Sequence, residues 1–442
     1  MIFMKKQLFI IICLIVSVSN AASVTNVLVR QQWPWDNAVN IDYHLVGTEG
    51  ALFDVMVRIK KDGNLVEVNP ASFSGDLYSV AGGEKRIVWD PKIAFPDESG
   101  IGECSFELTV KPASVYKYLV VDISKGCSNG AKYPTYFLQE KPEGGWSDEF
   151  KTSKLVLRRC EPGTFVMGSP DDELYREGSG SGSEKQSEVT FTNHFYIGVF
   201  ELTVKQYELI AGTNITYVAD SGEIIVDNAN AMVPATGLRY KDLRGDVDGI
   251  AWPSKIGVDE GSFMSLIRKR TYLPKSVPKG WVFDLPTEAQ WEYACRAGST
   301  EPHYDGTYPM PSSNDSSATD STLNALGWYR GNSGYARHVV GLKKENSWGL
   351  FDMYGNASEY VIEGTDGSGA MPSGIEPKNG KMTRNNGNAR RVRGGSYCAS
   401  FMHCRSASRR ELWDMNDPVE KLRYNIGNGW AMGARVCLHY VE

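Results

Sequence analysis

Short runs of alternating apolar and polar residues dominate the N-terminal third of the chain. Residues 40–46, 53–59 and 104–110 each follow a two-residue period. That period is typical of a half-buried β-strand, because successive side chains point to opposite faces of a sheet. Several such strands within about ninety residues predict a small all-β sandwich domain over residues 22–123.

The pattern changes after this domain. Residues 124–154 are rich in glycine, proline and charged side chains, which predicts a linker. Residues 155–442 form the second predicted domain, in which glycine and aromatic residues are frequent and periodicity is weak. Helices are predicted at 204–210 and 288–296, against a small sheet. The expected fold class is therefore α+β with low regular secondary structure.

The helix at 288–296 has both ends marked in the sequence. Thr287 is a good N-cap, and Gln290 three residues later completes a capping box. Gly298 can adopt the left-handed conformation that closes a helix. Trp291 and Cys295 are spaced to lie on one buried face, so the sequence predicts a short amphipathic helix.

The N-terminus has the features of a signal peptide. Lys5 and Lys6 precede an apolar run at 8–18, and small residues follow at 19–21. The run is too short for a comfortable membrane span, although a retained signal anchor is the alternative. No other stretch of the sequence is long and apolar enough to cross a bilayer. We therefore predict a signal peptide at 1–21 and an exported protein that is secreted, periplasmic or at the cell surface.

The charge of the chain bears on its binding partners, and its cysteine content bears on disulfide pairing. The net charge is -6 and no basic cluster is present, which argues against a nucleic-acid partner. Of eight cysteines, Cys13 lies in the signal peptide, so an odd number remains and at least one thiol is unpaired or intermolecular. Cys127 and Cys160 bracket the linker and could form a disulfide, but the sequence alone does not fix the connectivity.

Six separated segments, in order, resemble the formylglycine-generating enzyme (sulfatase-modifying factor) family. They are 165–169 (FVMGS), 195–203 (FYIGVFELT), 285–298 (LPTEAQWEYACRAG), 346–360 (NSWGLFDMYGNASEY), 393–397 (RGGSY) followed by 404–409 (CRSASR), and 433–436 (GARV). The resemblance covers about 155–442. It implies a C-type-lectin-like fold with long packed loops and little regular structure.

One glycine-containing segment carries several oxygen ligands. Asp352, Asn356 and Glu359 could converge on a hard cation such as Ca²⁺. In the resembled family this block holds a structural Ca²⁺, and the matching positions here are Asp352, Gly355, Ala357 and Glu359. A hydrogen-bonded loop without an ion is the alternative.

The resemblance also implies a disulfide between the central helix and the last strand. Cys295 and Cys437 occupy the matching positions. The loop between them spans most of the domain, and closing a long loop removes about 4 to 5 kcal/mol of unfolded-state entropy in the chain-entropy model. We therefore expect Cys295–Cys437 to be a stabilising bridge.

The candidate catalytic residues follow two glycines, Gly394 and Gly395. Active members of the family oxidise a substrate cysteine to formylglycine with molecular oxygen, and they bind Cu(I) between two thiolates in a Cys-x4-Cys segment. Ser396 matches a serine of that active site, and Cys398 and Cys404 are the candidate thiols. Five residues separate these cysteines, so they do not fall on the copper positions, and a local disulfide is the alternative.

Two functions stay open at this point. The first is oxidation of a cysteine in a peptide substrate, with Cu(I) as cofactor. The second is a non-catalytic, lectin-like protein that binds a ligand or another protein through loops rich in Tyr, Trp, Asn and Ser, a composition that suits adaptable contacts. The His-x3-His-x-Glu motif of related iron enzymes does not occur in the sequence, which disfavours that chemistry.

Overall fold

The structure of the chain is a computed structural model. It describes residues 22–31, 37–98, 101–128, 130–180, 182–218, 224–226, 230–245, 256–273, 280–364, 371–376, 390–412 and 431–441. The predicted signal peptide at 1–21 lies outside the described residues. Within them the chain has many short strands and few helices, which confirms the predicted fold class.

The strands and helices are numbered in chain order. The strands are β1 (Ala22–Gln31), β2 (Val39–Gly47), β3 (Phe53–Lys61), β4 (Asn64–Val66), β5 (Phe73–Gly75), β6 (Gly83–Trp89), β7 (Cys104–Pro112), β8 (Tyr118–Asp122), β9 (Tyr133–Leu138), β10 (Lys154–Cys160), β11 (Gly163–Met167), β12 (Ser187–Phe191), β13 (Phe195–Gly198), β14 (Thr216–Val218), β15 (Ile224–Val226), β16 (Thr271–Tyr272), β17 (Trp281–Asp284), β18 (Gly327–Trp328), β19 (Tyr354–Gly355), β20 (Ser358–Gly364), β21 (Gly374–Glu376), β22 (Arg390–Arg393), β23 (Arg410–Leu412), β24 (Met432–Gly433) and β25 (Cys437–Tyr440). The helices are α1 (Pro91–Ala94), α2 (Val204–Ala211), α3 (Tyr240–Arg244), α4 (Phe263–Arg270) and α5 (Glu288–Arg296).

The chain divides into two compact units. The described part of unit 1 comprises residues 22–31, 37–98, 101–122, 132–140 and 271–273, and unit 2 comprises the other described residues. The predicted linker at 124–154 contains β9, which belongs to unit 1, and a short 3-10 turn at Asp148–Lys151, which belongs to unit 2. This segment therefore has regular structure of its own.

Unit 1 is built around a β-sandwich. One sheet has the order β1-β2-β6-β5 and the other the order β4-β3-β7. The predicted alternation is confirmed in β2 and β7, where every second side chain is buried in a shared apolar core. Asp54 is a polar exception on β3, and it accepts hydrogen bonds from Ser79 N, Ser114 N and Tyr116 Oη, which satisfy its buried carboxylate.

Unit 2 joins segments that are far apart in the sequence. Strands β10, β13, β25 and β17 lie side by side with antiparallel pairing. A second sheet has the order β23-β22-β20-β24, and a third the order β11-β12-β21. Within the residues that the structure describes, no helix has the length and apolar character needed to cross a membrane.

Helix α5 starts as the sequence predicts. Thr287 Oγ1 accepts from Gln290 N at 3.1 Å and Gln290 Oε1 accepts from Thr287 N at 3.0 Å, so the capping box is confirmed. The left-handed C-cap is Ala297, with φ 45°, one residue before the predicted Gly298. The predicted face of Trp291 and Cys295 is fully buried.

Candidate functional site

Helix α5 fixes the start of the candidate catalytic loop. Glu292 Oε1 accepts from Gly168 N at 2.8 Å and from Arg296 Nε at 2.9 Å, and Glu292 Oε2 accepts from Arg393 Nη2. All three charged side chains are almost completely buried. Because Arg393 is the last residue of β22, this ion pair holds the backbone from which Gly394 and Gly395 follow.

The two glycines allow a tight turn over Cys404. Gly394 and Gly395 have φ of 89° and 75°, in the left-handed region that favours glycine. A Cβ atom on Gly395 would lie 2.7 Å from Cys404 Sγ. Glycine at this position therefore permits the Cys404 side chain to pack directly beneath the turn.

The three candidate catalytic residues lie in one buried loop. Ser396 Oγ and Cys398 Sγ are 3.2 Å apart, and Cys404 Sγ donates to Ser400 O at 3.8 Å. Cys404 has no exposed surface and Cys398 only 4%. Burial, followed by the nearby Cys398, raises the pKa of the Cys404 thiol far above its usual range. The loop thus contains two thiols below the surface, and the Cys404 thiol is protonated at neutral pH.

The spacing of these donors departs from that of the family's Cu(I) pair, because five residues rather than four separate Cys398 and Cys404. In the metal-free protein, burial opposes ionisation of the Cys404 thiol. The pKa of the neighbouring His403 is lowered to about 4, first by burial and then by the charges of Arg410 and Arg405. Among the described residues, no three His, Cys, Asp or Glu side chains are grouped so that they could hold a metal ion.

Two segments, 308–317 and 330–335, are joined to each other and to this loop, and we call these two segments the loop surface. Arg330 joins them, because Arg330 Nη1 donates to Ser316 Oγ at 3.1 Å and Arg330 Nε donates to Cys398 O at 2.9 Å. Three of its large side chains are more than half exposed: Tyr308 (54%), Met310 (63%) and Tyr335 (59%).

Tyr335 is held in an unusual backbone conformation. Its φ is 59°, in the left-handed region that a bulky side chain rarely adopts. Ser333 supports this geometry, since its Oγ accepts from Tyr335 N at 3.1 Å and donates to Tyr397 O. A strained residue that is fixed by its neighbours and left exposed is a common feature of binding sites.

The four predicted calcium positions are all buried, and the carboxylate of Glu359 and the backbone N–H groups of Gly355 and Ala357 have partners within the protein. Glu359 accepts from Trp291 Nε1 and from Arg435, and Ala357 N donates to Glu201 Oε1. Gly355 N donates to Gly394 O. Asp352 Oδ2 accepts from Gly341 N at 2.6 Å, whereas its Oδ1 has no hydrogen-bond partner.

Cys295 and Cys437, the predicted disulfide, are both buried free thiols in this structure. Cys295 Sγ donates to Ser406 Oγ at 3.8 Å, and Cys437 Sγ lies 3.8 Å from His439 Nδ1. The two thiols thus contact different partners, and the structure does not join them. Burial raises the pKa of Cys295 to about 12, so its thiol stays protonated.

The sequence did not indicate the ion pairs that surround these residues. Glu201 lies within segment 195–203 and Arg435 within segment 433–436. These segments contributed to the family resemblance, but they did not indicate which residues the two charged side chains contact. A charged side chain inside an otherwise apolar run was the available signal, because such a residue needs a partner when the run is buried.

Comparison with known proteins gives one family match and two structural neighbours of note. Residues 149–418 match the model of the sulfatase-modifying factor enzyme 1-like domain. The chain is similar to the structure of PvdO from Pseudomonas aeruginosa, with 20% identity, 64% of this chain and 94% of that chain covered, and a TM-score of 0.44. It is also similar to Treponema denticola variable protein 1, with 20% identity, 64% and 95% covered, and a TM-score of 0.43. No curated protein matches the chain.

Proposed function

Because this chain belongs to the family of sulfatase-modifying factor enzyme 1-like domains, we propose that it is an exported member that binds a peptide or protein through its loop surface and does not oxidise cysteine. The observation that carries this proposal is the spacing of Cys398 and Cys404, which have five intervening residues where the family's Cu(I) pair has four. Both thiols are buried, and Cys404 packs against the turn at Gly395.

The composition of the loop surface supports the binding role. Tyr308, Met310 and Tyr335 are exposed side chains that could bury a large area against a partner. The hydrogen bonds of Arg330 and Ser333 order the backbone in advance, which reduces the entropy that binding would cost. The net charge of -6 fits a protein partner better than a nucleic acid.

Export is part of the proposal and rests on the sequence alone. The basic residues Lys5 and Lys6, the apolar run at 8–18 and the small residues at 19–21 support cleavage of a signal peptide. Mass spectrometry of the protein recovered from the secreted or periplasmic fraction tests this. A chain that retains residues 1–21 in the cytoplasm would contradict it.

Copper binding separates the proposed binder from an oxidase. We expect the purified protein to take up no Cu(I) in competition with a colorimetric chelator, and to form no aldehyde on a cysteine-containing peptide in air. The C398A variant, which lacks the more exposed of the two thiols, should behave as the wild type does. Tight Cu(I) uptake that is lost in C398A would overturn the proposal.

One observation favours the oxidase as a second candidate. Ser396 Oγ lies 3.2 Å from Cys398 Sγ, so the serine that matches the family's active site does contact a thiol. A Cys398–Cys404 disulfide would remove both thiols from chemistry. Counting free thiols in the purified protein, before and after reduction, therefore complements the copper titration.

Binding through the loop surface can be tested with a random peptide display library. We expect peptides selected on the wild-type protein to lose binding to Y335A. Y272A is a matched control, because Tyr272 is similarly exposed (54%) but lies on β16 of unit 1. Equal loss in both variants, or no enrichment on the wild type, would count against this surface.

A further inference from the structure

The carboxylate of Glu359 is fully engaged by other side chains. Arg435 Nε lies 3.0 Å from Glu359 Oε1 and 3.1 Å from Oε2, and Arg435 Nη2 lies 2.7 Å from Oε1. Trp291 Nε1 donates to Oε2 at 2.7 Å. Since Glu359 and Arg435 have at most 1% of their surface exposed, this charge-assisted pair is completely enclosed by protein.

The remaining donors of Arg435 bind backbone oxygens from two other segments. Its Nη1 donates to Gly198 O at 2.8 Å, at the end of β13, and its Nη2 donates to Phe351 O at 2.8 Å. The guanidinium thereby links β13, the segment before Asp352 and β20. Collecting oxygen atoms from separate segments is what a structural metal ion does in a loop-rich domain.

The neighbouring carboxylate of Glu201 is hydrogen-bonded by the segment that precedes β20. Glu201 Oε1 accepts from Ala357 N and Oε2 accepts from Asn356 Nδ2, each at 2.7 Å. Of the two predicted carboxylate ligands, only Asp352 keeps an oxygen without a partner. Ca²⁺ requires six to eight oxygen ligands, and the expected set of four loses one when Arg435 and Trp291 hold the Glu359 carboxylate.

We infer that Arg435 is the resident cation of this region, in place of the calcium ion that the family resemblance implies, and that the chain folds independently of Ca²⁺. The inference concerns stability, and it stands whether or not the loop surface binds a partner. It is an alternative to the expected ligand set Asp352, Gly355, Ala357 and Glu359. The physical reason is that a guanidinium charge already occupies the carboxylate on which that set depends.

Metal removal tests the inference on the wild-type protein. We expect the melting temperature to be the same with a calcium chelator and with excess CaCl₂, and equilibrium dialysis to detect no bound Ca²⁺. A lower melting temperature in chelator, reversed by CaCl₂, would overturn it. This measurement needs no variant and is independent of the copper and peptide experiments.

Variants of the pair test the role of Arg435 directly. R435M leaves a buried carboxylate unpaired and should lower the melting temperature by about 10 °C, with no recovery in CaCl₂. E359Q/R435M removes that charge and should regain part of the loss. R405M is the matched control, because Arg405 is equally buried against Glu173 and Glu184 elsewhere in unit 2. If CaCl₂ restored the melting temperature of R435M but not that of R405M, Ca²⁺ would fit this region, which would contradict the inference.

Discussion

At the scale of single residues, buried arginine–carboxylate pairs recur throughout the described part of unit 2. The largest fully buried side chains of the described residues include Arg244, Arg393, Arg405, Arg409 and Arg435. Each binds a buried carboxylate, and several also bind backbone oxygens. Removal of one partner from such a pair costs roughly 3–5 kcal/mol, because the other charge is left in a low-dielectric interior.

Glu288 gives these pairs a pH dependence that can be measured. Burial alone would raise its pKa, but the positive charges of Arg409 and Arg391 outweigh this and lower the pKa to about 2. A carboxylate whose pKa is lowered on folding stabilises the protein above its unfolded pKa. That contribution, about 3 kcal/mol, is lost as the pH falls from about 4.5 toward 2.

We therefore expect E288Q to be less stable than the wild type at pH 7, with a difference that shrinks in acid. Urea unfolding at a series of pH values measures it. E49Q, which changes an exposed glutamate, should follow the wild-type profile. Parallel profiles for E288Q and the wild type would mean that the pairing of Glu288 adds no stability.

At the scale of elements, α5 joins the sheets of unit 2, and its N-cap is the simplest feature to test. Thr287 and Gln290 each bind the other's backbone N–H. Loss of an N-cap hydroxyl costs about 1 kcal/mol. T287A should lower the free energy of unfolding by that amount in urea, whereas T287S keeps the hydroxyl and should lose little. Equal losses in T287A and T287S would point to packing rather than capping.

The N-cap and the apolar face of α5 were predictable because they depend on neighbours in the sequence. The burial of its charged residues was not predictable. Glu288, Glu292 and Arg296 are buried as well, so the helix is enclosed on nearly all sides rather than amphipathic. Their partners include Arg393 and Arg409, more than a hundred positions later, and no local period encodes such a contact.

At the scale of the whole molecule, the two units differ in how far their sequences predict them. In unit 1 the alternation of β2 and β7 fixes which faces meet, so the sandwich follows from local pattern. In unit 2, β13 pairs with β25 near the other end of the chain. Only the ordered motifs of the family indicated that fold. The candidate residues around Cys398 lie in one loop, and Cys404 approaches Gly395 closely there, which residue spacing alone does not express.

Unit 2 should respond weakly to ionic strength. Salt screens exposed charges but has little access to buried pairs such as Arg435–Glu359. We expect NaCl to shift the melting temperature by no more than about 2 °C between low and high concentrations. In unit 1, Asp42 pairs with the exposed Arg30 and Arg86. The D42N variant, which removes this partner, should also change the melting temperature little. A large decrease in salt would mean that water reaches the arginine pairs.

The left-handed Tyr335 loop illustrates how this chain can diverge. Its conformation is supported by Ser333, which contacts both Tyr335 N and the backbone oxygen of Tyr397. The exposed side chains of Tyr308, Met310 and Tyr335 are not among the buried residues of unit 2. Substitutions there are expected to leave the fold intact, so the proposed binding specificity can change without a change in the interior.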